Sequence, residues 1–395
     1  MPTTNEEDAA GRFERTPPDG LTRRDALSLA VVAAGTLLGA KDAVAGAVAN
    51  ATIRQRDPRP ASLMVRTIRP LNAEAPIAAL RTLDTPNDLF FARSHFPAPE
   101  TDVQNWTLTI DGDVDRPLRL RLADVRRMGA ERRRVTIECA GNGRGRFALA
   151  NTSGVQWGLG AVSTATWTGV PLAALLERAG ARPSAMHFAM EGTDRAPSPA
   201  TPAFLRSLPR EAALGEAFVA YEMNGEPVPL QHGGPLRLLM PGWYGMASTK
   251  WLTAVHARAT ESDNHFMARG YRYPDGSTVD RMRVKSLVTG PLDGDRLATG
   301  TARATGVPWT GSGTVTQVEG ATDGGRTRQM ARLVSAAEQG AWRLWEADVE
   351  LRTPGEQTIR ARATDTAGHV QPERATPNPA GYGNNSIHEV RVHVG

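Results

Sequence analysis

The stretch RRRVTIECAGNGRGRFALAN, residues 132–151, holds Cys139, the only cysteine among 395 residues. A β-branched run typical of a strand precedes Cys139, and a glycine-rich turn follows it. A thiolate at this point can be a nucleophile, a redox centre or a metal ligand. A dithiol centre is excluded for want of a second cysteine, whereas a buried, inert cysteine remains an alternative. The glycines expose backbone suited to an anion or a cofactor, and Arg144 and Arg146 add positive charge.

The composition is that of a globular protein with room for two domains: 40% of the residues are apolar and 22% are charged. A single cysteine excludes an intrachain disulfide, a multi-cysteine zinc or iron–sulfur site, and a c-type haem attachment. The net charge of +4 is weak evidence for a nucleic-acid partner, and we expect none. Nearly all basic residues are arginine, with lysine only at positions 41, 250 and 285, so a lysine is slightly more informative than an arginine.

The N-terminus has the order of features that defines an exported protein. Arg23 and Arg24 precede an apolar run over residues 26–40, and the small-residue site Ala43-Val44-Ala45 follows. The run is shorter than the roughly 20 residues that a membrane span needs. We therefore predict a twin-arginine signal peptide over residues 1–45, a periplasmic location and no membrane span after its removal.

Two domains are predicted after the signal. Residues 46–280 mix strand and helix signals: NWTLTIDGDVDRPLRL reads as a hairpin, and PLAALLERAGA as a helix that ends at Gly180. Residues 281–395 consist of short alternating runs separated by Gly, Asp and Pro, which indicates an antiparallel β-sandwich.

Several motifs together resemble the sulfite oxidase family of molybdenum enzymes. They are ECAGNGR around Cys139, FFARSH at residues 90–95, the block AYEMNGEPVPLQHGGPLRLLMPGWYGMASTKWL, and TDTAGHVQPE near the C-terminus. They occur in order from about residue 64 to the end. The resemblance implies an α+β fold: a sulfite-oxidase-type molybdopterin-binding domain followed by an immunoglobulin-like β-sandwich dimerisation domain.

The resemblance also implies site residues. Cys139 is expected to be the thiolate ligand of molybdenum, with Arg93, Arg144 and Tyr271 on the substrate side. The expected contacts of the molybdenum–molybdopterin cofactor are Phe91, Ala92, Arg93, Ser94, His95, Asp194, His232, Arg237, Ser248, Thr249 and Lys250. Trp157 matches a tryptophan near the pocket, although a core role is equally compatible with its surroundings. Tyr221 and Tyr273 are interpreted as residues outside the site.

The implied reaction is the oxidation of sulfite to sulfate by a homodimer. There is no haem motif in this chain, so a separate c-type cytochrome is the expected electron acceptor. Two positions depart from the family pattern: Gly143 replaces an arginine of the cysteine loop, and Ala380 replaces a substrate-binding arginine. A sulfane dehydrogenase acting on carrier-bound sulfur is therefore an alternative, as are an oxyanion reductase on the same fold and a non-enzymatic binding protein in which Cys139 packs in the core.

Overall fold

The structure, a computed structural model, describes residues 62–147 and 152–395. The predicted signal peptide over residues 1–45 lies outside the described residues. Over the two described ranges, no helix is both long and apolar enough to cross a membrane.

The first part of the described chain contains twelve strands and four short helices. The strands are β1 Met64–Thr67, β2 Asn72–Glu74, β3 Thr107–Gly112, β4 Leu118–Arg121, β5 Glu131–Glu138, β6 Val162–Pro171, β7 His187–Gly192, β8 Leu205–Pro209, β9 Phe218–Met223, β10 Glu226–Pro227, β11 Arg237–Leu239 and β12 Leu252–Arg258. The helices are α1 Leu122–Arg126, α2 Leu172–Ala179, α3 Arg210–Gly215 and α4 His265–Ala268. Single 3-10 turns lie at Ile77–Leu80, Arg144–Arg146, Leu230–His232 and Gly245–Ala247.

These strands form two five-stranded sheets and one hairpin of β1 and β2. One sheet has the order β4-β3-β12-β7-β8, and the other has the order β10-β9-β6-β5 with β11 paired to β9. A shared apolar core of leucine, valine and aromatic side chains packs α2 and α3 against the first sheet. The local signals of the sequence are confirmed: β3 and β4 pair antiparallel, and α2 ends at Gly180, whose φ of 68° suits glycine.

The second part is built from strands alone. They are β13 Lys285–Gly290, β14 Arg296–Leu297, β15 Gly300–Trp309, β16 Val315–Ala321, β17 Gln329–Met330, β18 Arg332–Leu333, β19 Trp345–Leu351, β20 Gly355–Asp365 and β21 His388–Val394. Two sheets, β13-β15-β19-β18 and β14-β21-β20-β16-β17, enclose one apolar core between them. This is the predicted β-sandwich. The boundary at residue 280 itself stays a prediction.

Strand β5 links the two parts. The Thr136 N–H donates to Gly340 O at 2.8 Å, and the Trp342 N–H donates to Thr136 Oγ1 at 2.7 Å. Since β5 ends immediately before Cys139, the second part helps to fix the place where the cysteine loop begins.

Candidate active site

A loop after β2 forms one wall of the candidate site. The Phe91 N–H donates to Ser163 Oγ at 3.1 Å, and Ala92 exchanges two backbone hydrogen bonds of 2.9 Å with β2. The side-chain oxygen of Asn72 accepts from the Ser94 N–H at 3.1 Å. The FFARSH motif is thereby fixed to β2 and β6 at several points.

The cysteine loop forms the second wall. The Cys139 N–H donates to Ala161 O at 2.9 Å, and its carbonyl accepts from the Asn142 N–H at 2.8 Å. Gly143 has a φ of 85°, and a Cβ at this position would lie 3.2 Å from Asn384. The departure from the family's arginine at Gly143 therefore matches the backbone conformation of this loop.

The segment between β10 and β12 forms the third wall. His232 Nε2 lies 2.9 Å from Asn87 O, and Ser248 Oγ accepts from the Met240 N–H at 3.0 Å. Gly233 of this segment packs where a side chain has no room: a Cβ at this position would lie 2.7 Å from Lys250 Cβ.

These walls enclose a cavity that is partly open to solvent. Most of the residues predicted from the sequence lie on its wall: Phe91, Arg93, Ser94, His95, Cys139, Asp194, His232, Arg237, Ser248, Lys250 and Tyr271. They come from separate stretches of the chain, so the fold is what brings them together.

The cavity wall is electropositive. Lys250 Nζ donates to Ser94 Oγ at 2.5 Å and to Gln231 O at 3.0 Å, and Arg237 Nη1 donates to His232 O at 2.7 Å. These acceptors are neutral. Burial lowers the pKa of Lys250 well below its ordinary value, and Arg237 lowers it further. Burial also lowers the pKa of Arg237 to about 9. Asp194, which lies on the same wall, offsets this effect for Lys250 only in part.

These residues fit an anionic, phosphate-bearing pterin. Arg237 Nε is buried without a hydrogen-bond partner among the described residues, which is unusual unless a ligand supplies one. A phosphate would neutralise Arg237 and Lys250 and accept from their donors. Cys139 lies on the wall of the same cavity and offers the soft ligand that molybdenum prefers.

Tyr271 and His95 form a buried hydrogen-bonded pair, with Tyr271 Oη 2.8 Å from His95 Nε2. Burial raises the pKa of Tyr271 well above its ordinary value. Burial and Arg93 lower the pKa of His95 well below its ordinary value. At neutral pH the pair is therefore uncharged and shares one proton. Tyr271 also has a φ of 54°, a strained conformation of the kind found at functional sites.

Three predicted residues are not among those that line the cavity. Ala92 is engaged in its backbone pairing with β2, and Thr249 Oγ1 is buried without a partner. Arg144 is buried, and its guanidinium donates to Ala380 O and to Val155 O, both at 2.9 Å. The guanidinium also lies 5.4 Å from the ring centroid of Tyr382.

Three further aromatic residues were considered in the sequence. The role of Trp157 was left open, and Tyr221 and Tyr273 were predicted to lie outside the site. Trp157 is fully buried, and its indole nitrogen has no partner. Tyr221, on β9 of the second sheet, packs in the shared apolar core, and Tyr273 contacts Arg283. Neither tyrosine is on the cavity wall.

Sequence reasoning missed three residues beside Tyr271 and His95. The His95 ring stacks on Phe204 with centroids 4.5 Å apart, and the Tyr271 ring stacks on Tyr382 at 5.3 Å. The Arg206 guanidinium lies 5.4 Å from the Tyr271 centroid, and its Nε has no partner. An arginine at a buried position of β8 was the one signal available for Arg206.

Comparisons with known proteins identify both parts of the chain. The family model described as an oxidoreductase molybdopterin binding domain matches residues 95–266, and the Mo-co oxidoreductase dimerisation domain matches residues 277–395. The predicted α+β fold class, a molybdopterin-binding domain followed by a dimerisation domain, is thereby confirmed.

Individual relatives cover most of the chain. It is 33% identical over 390 residues to mitochondrial sulfite oxidase of Homo sapiens, a match that covers 90% of this chain and 70% of that protein. It is 30% identical over 380 residues to sulfite oxidase of Arabidopsis thaliana, covering 86% of this chain and 96% of that one. The crystal structure of the sulfane dehydrogenase SoxCD from Paracoccus pantotrophus superimposes with a TM-score of 0.76 at 27% identity, over 88% of this chain and 93% of that chain.

Proposed function

Since this chain belongs to the sulfite oxidase family and is a molybdopterin-dependent oxidoreductase, we propose that it oxidises sulfite to sulfate and passes the electrons to a separate c-type cytochrome. The observation that supports this proposal is the cavity that combines Cys139 with buried, undercompensated cations. Sulfite and water become sulfate with release of an electron pair and a pair of protons, and two equivalents of the one-electron cytochrome are the oxidant.

When bound, the molybdenum cofactor supplies the electron-pair chemistry and the oxygen-atom transfer. The residues of the chain orient the substrate and hold a proton. Arg93 lies on the cavity wall, where Asn72 fixes its guanidinium at 3.2 Å, and it offers positive charge to an oxyanion. The Tyr271–His95 pair holds its shared proton at the same wall, and the stacked rings of Phe204 and Tyr382 limit the access of water.

The test is sulfite-dependent reduction of added cytochrome c by holoenzyme that was matured in a molybdopterin-competent host. We expect turnover in the wild type and a large rise in KM for Arg93→Met. A matched control is Arg258→Met, because Arg258 is exposed at the end of β12. A molybdenum-loaded enzyme that does not oxidise sulfite would contradict the proposal.

A sulfane dehydrogenase activity on carrier-bound sulfur is the second candidate. Two observations favour it: the Arg144 guanidinium is engaged by backbone carbonyls, and Ala380 offers no charge. The structural relative SoxCD is described as a sulfane dehydrogenase. Turnover with a carrier-bound persulfide and none with sulfite would favour this candidate.

Assembly and location complete the proposal. We propose a homodimer formed through the second domain, which matches a dimerisation domain. We also propose export to the periplasm, with the twin-arginine signal over residues 1–45 removed at a cleavage site still to be determined. Light scattering tests the dimer. Cell fractionation of a variant with Arg23→Lys and Arg24→Lys tests the export route, and periplasmic accumulation of that variant would contradict it.

A further inference from the structure

The second domain binds the residue that precedes Cys139. Lys285, at the start of β13, places Nζ 3.2 Å from Oε1 of Glu138. Trp309, at the end of β15, donates its indole N–H to Oε2 of Glu138 at 2.9 Å. Both carboxylate oxygens of Glu138 are therefore held from across the domain junction.

This ion pair is enclosed by protein. The side chains of Lys285 and Glu138 are 1% and 3% exposed, and Lys285 Nζ lies 5.7 Å from the ring centroid of Trp309. A buried ion pair gives little net stability, because desolvation offsets much of the attraction, but removing one partner leaves an uncompensated charge. The presence of this ion pair therefore indicates that it fixes the position of Glu138.

Asn142 connects Glu138 to the backbone of Cys139. The Asn142 amide donates to Glu138 Oε1 at 2.9 Å, and its side-chain oxygen accepts from the Ala161 N–H at 3.1 Å. The Ala161 carbonyl in turn accepts from the Cys139 N–H at 2.9 Å. The carboxylate, the amide and the cysteine backbone thus form one closed ring of contacts.

A second segment of the same domain fixes the rest of the cysteine loop. Residues 380–384 form three hydrogen bonds of 2.8–2.9 Å with it: Gly383 N–H to Ala140 O, Asn384 amide to Gly143 O, and Arg144 Nε to Ala380 O. The loop is therefore held by the second domain at both of its ends.

We propose that Lys285 and Trp309 are positioning residues for the Cys139 thiolate, so that the second domain is a structural part of the metal site as well as a dimerisation module. This inference goes beyond sulfite oxidation and rests only on the binding of molybdenum by Cys139. Outer contacts of metal ligands commonly control ligand orientation in this way.

The experiment compares full-length wild-type and Lys285→Met holoenzymes. Molybdenum content is measured together with the thiolate-to-metal absorption and the EPR spectrum after chemical reduction, none of which needs a substrate. We expect both spectra of the variant to shift, and turnover to fall about 10- to 100-fold while KM changes little. An inactive wild type with a normal spectrum would reject the proposed substrate without affecting this inference.

Two further variants separate positioning from general loosening of the junction. Arg134→Met is the matched control, since Arg134 lies on the same strand β5 and pairs with Glu338 of the second domain and with Asp84. We expect it to keep the wild-type spectra. Trp309→Phe removes the indole donor while keeping an aromatic ring, and it serves if Lys285→Met does not fold. Wild-type spectra in the loaded Lys285→Met and Trp309→Phe enzymes, or an equal shift in Arg134→Met, would overturn the inference.

Discussion

The hydroxyl of Tyr271 lies 2.8 Å from Nε2 of His95, although the two residues are 176 positions apart in the sequence. Both rings are fixed by stacking, on Tyr382 and on Phe204 respectively. The pair lies on the wall of the cavity that also contains Cys139. The fold therefore places an uncharged pair that shares the hydroxyl proton of Tyr271 beside the candidate metal site.

Tyr271→Phe removes that proton and is expected to lower turnover about 10- to 100-fold. Because burial lowers the pKa of His95 well below its ordinary value, protonation of His95 should cause no loss of wild-type turnover between about pH 6 and 8. Steady-state kinetics over that range check both statements. Tyr273→Phe is the control, since Tyr273 is not on the cavity wall, and an equal loss in both variants would contradict a specific role for Tyr271.

Lys250→Met should have opposite effects on cofactor retention and on the stability of the metal-free protein. Its half-buried ammonium is desolvated and is offset only in part by Asp194, so the free energy of unfolding of the apoprotein should rise. Retention of molybdopterin should weaken by about tenfold or more, because a charge-assisted contact is lost. Denaturant unfolding of the apoprotein and cofactor analysis of the holoenzyme measure the two effects. A variant that keeps its cofactor fully would show that Lys250 does not bind the anion.

His388 makes stability depend on pH in a predictable direction. Burial lowers its pKa from 6.5 to about 4, and its Nδ1 accepts from the Val288 N–H at 3.2 Å in the neutral form. Below pH 6.5 the unfolded chain binds the proton more readily than the folded one, so stability is lost as the pH falls toward 4. The loss for this group is at most about 1.4 kcal/mol per pH unit. His388→Asn should flatten the pH dependence of unfolding, whereas His393→Asn, on the exposed face of the same strand, should leave it unchanged.

Ala380→Arg tests whether a missing guanidinium limits sulfite binding. Ala380 is partly exposed, and its carbonyl already accepts from Arg144. An added positive charge at this point should lower the KM for sulfite by about tenfold. Ala380→Met adds length without charge and should not do so. Equal KM values for the two variants would contradict an electrostatic role for this position.

Much of the site was predictable because its signals are local. The residues on either side of Cys139, the FFARSH loop and the segment from His232 to Lys250 are contiguous motifs that keep their neighbours in the fold. The end of helix α2 at Gly180 was likewise set by short-range conformational preferences. Strands β3 and β4 pair as predicted, and residues 113–117 connect them.

The remainder depends on long-range pairing. Lys285 and Glu138 are 147 residues apart, and the sequence contains no local pattern that joins them. The contact of Tyr382 with Tyr271 arises only after the C-terminal segment has packed on the first domain. Arg144, expected to face the substrate, is instead engaged by Ala380 O and Val155 O, acceptors that only the folded chain supplies.

The most direct test of the account is molybdenum analysis and X-ray absorption of the holoenzyme beside its Cys139→Ser variant, both matured in a molybdopterin-competent host. The account predicts stoichiometric molybdenum in the wild type and one sulfur neighbour fewer in the variant. Identical sulfur coordination in the two proteins, or a folded wild type without molybdenum, would contradict the assignment of Cys139 as the metal ligand.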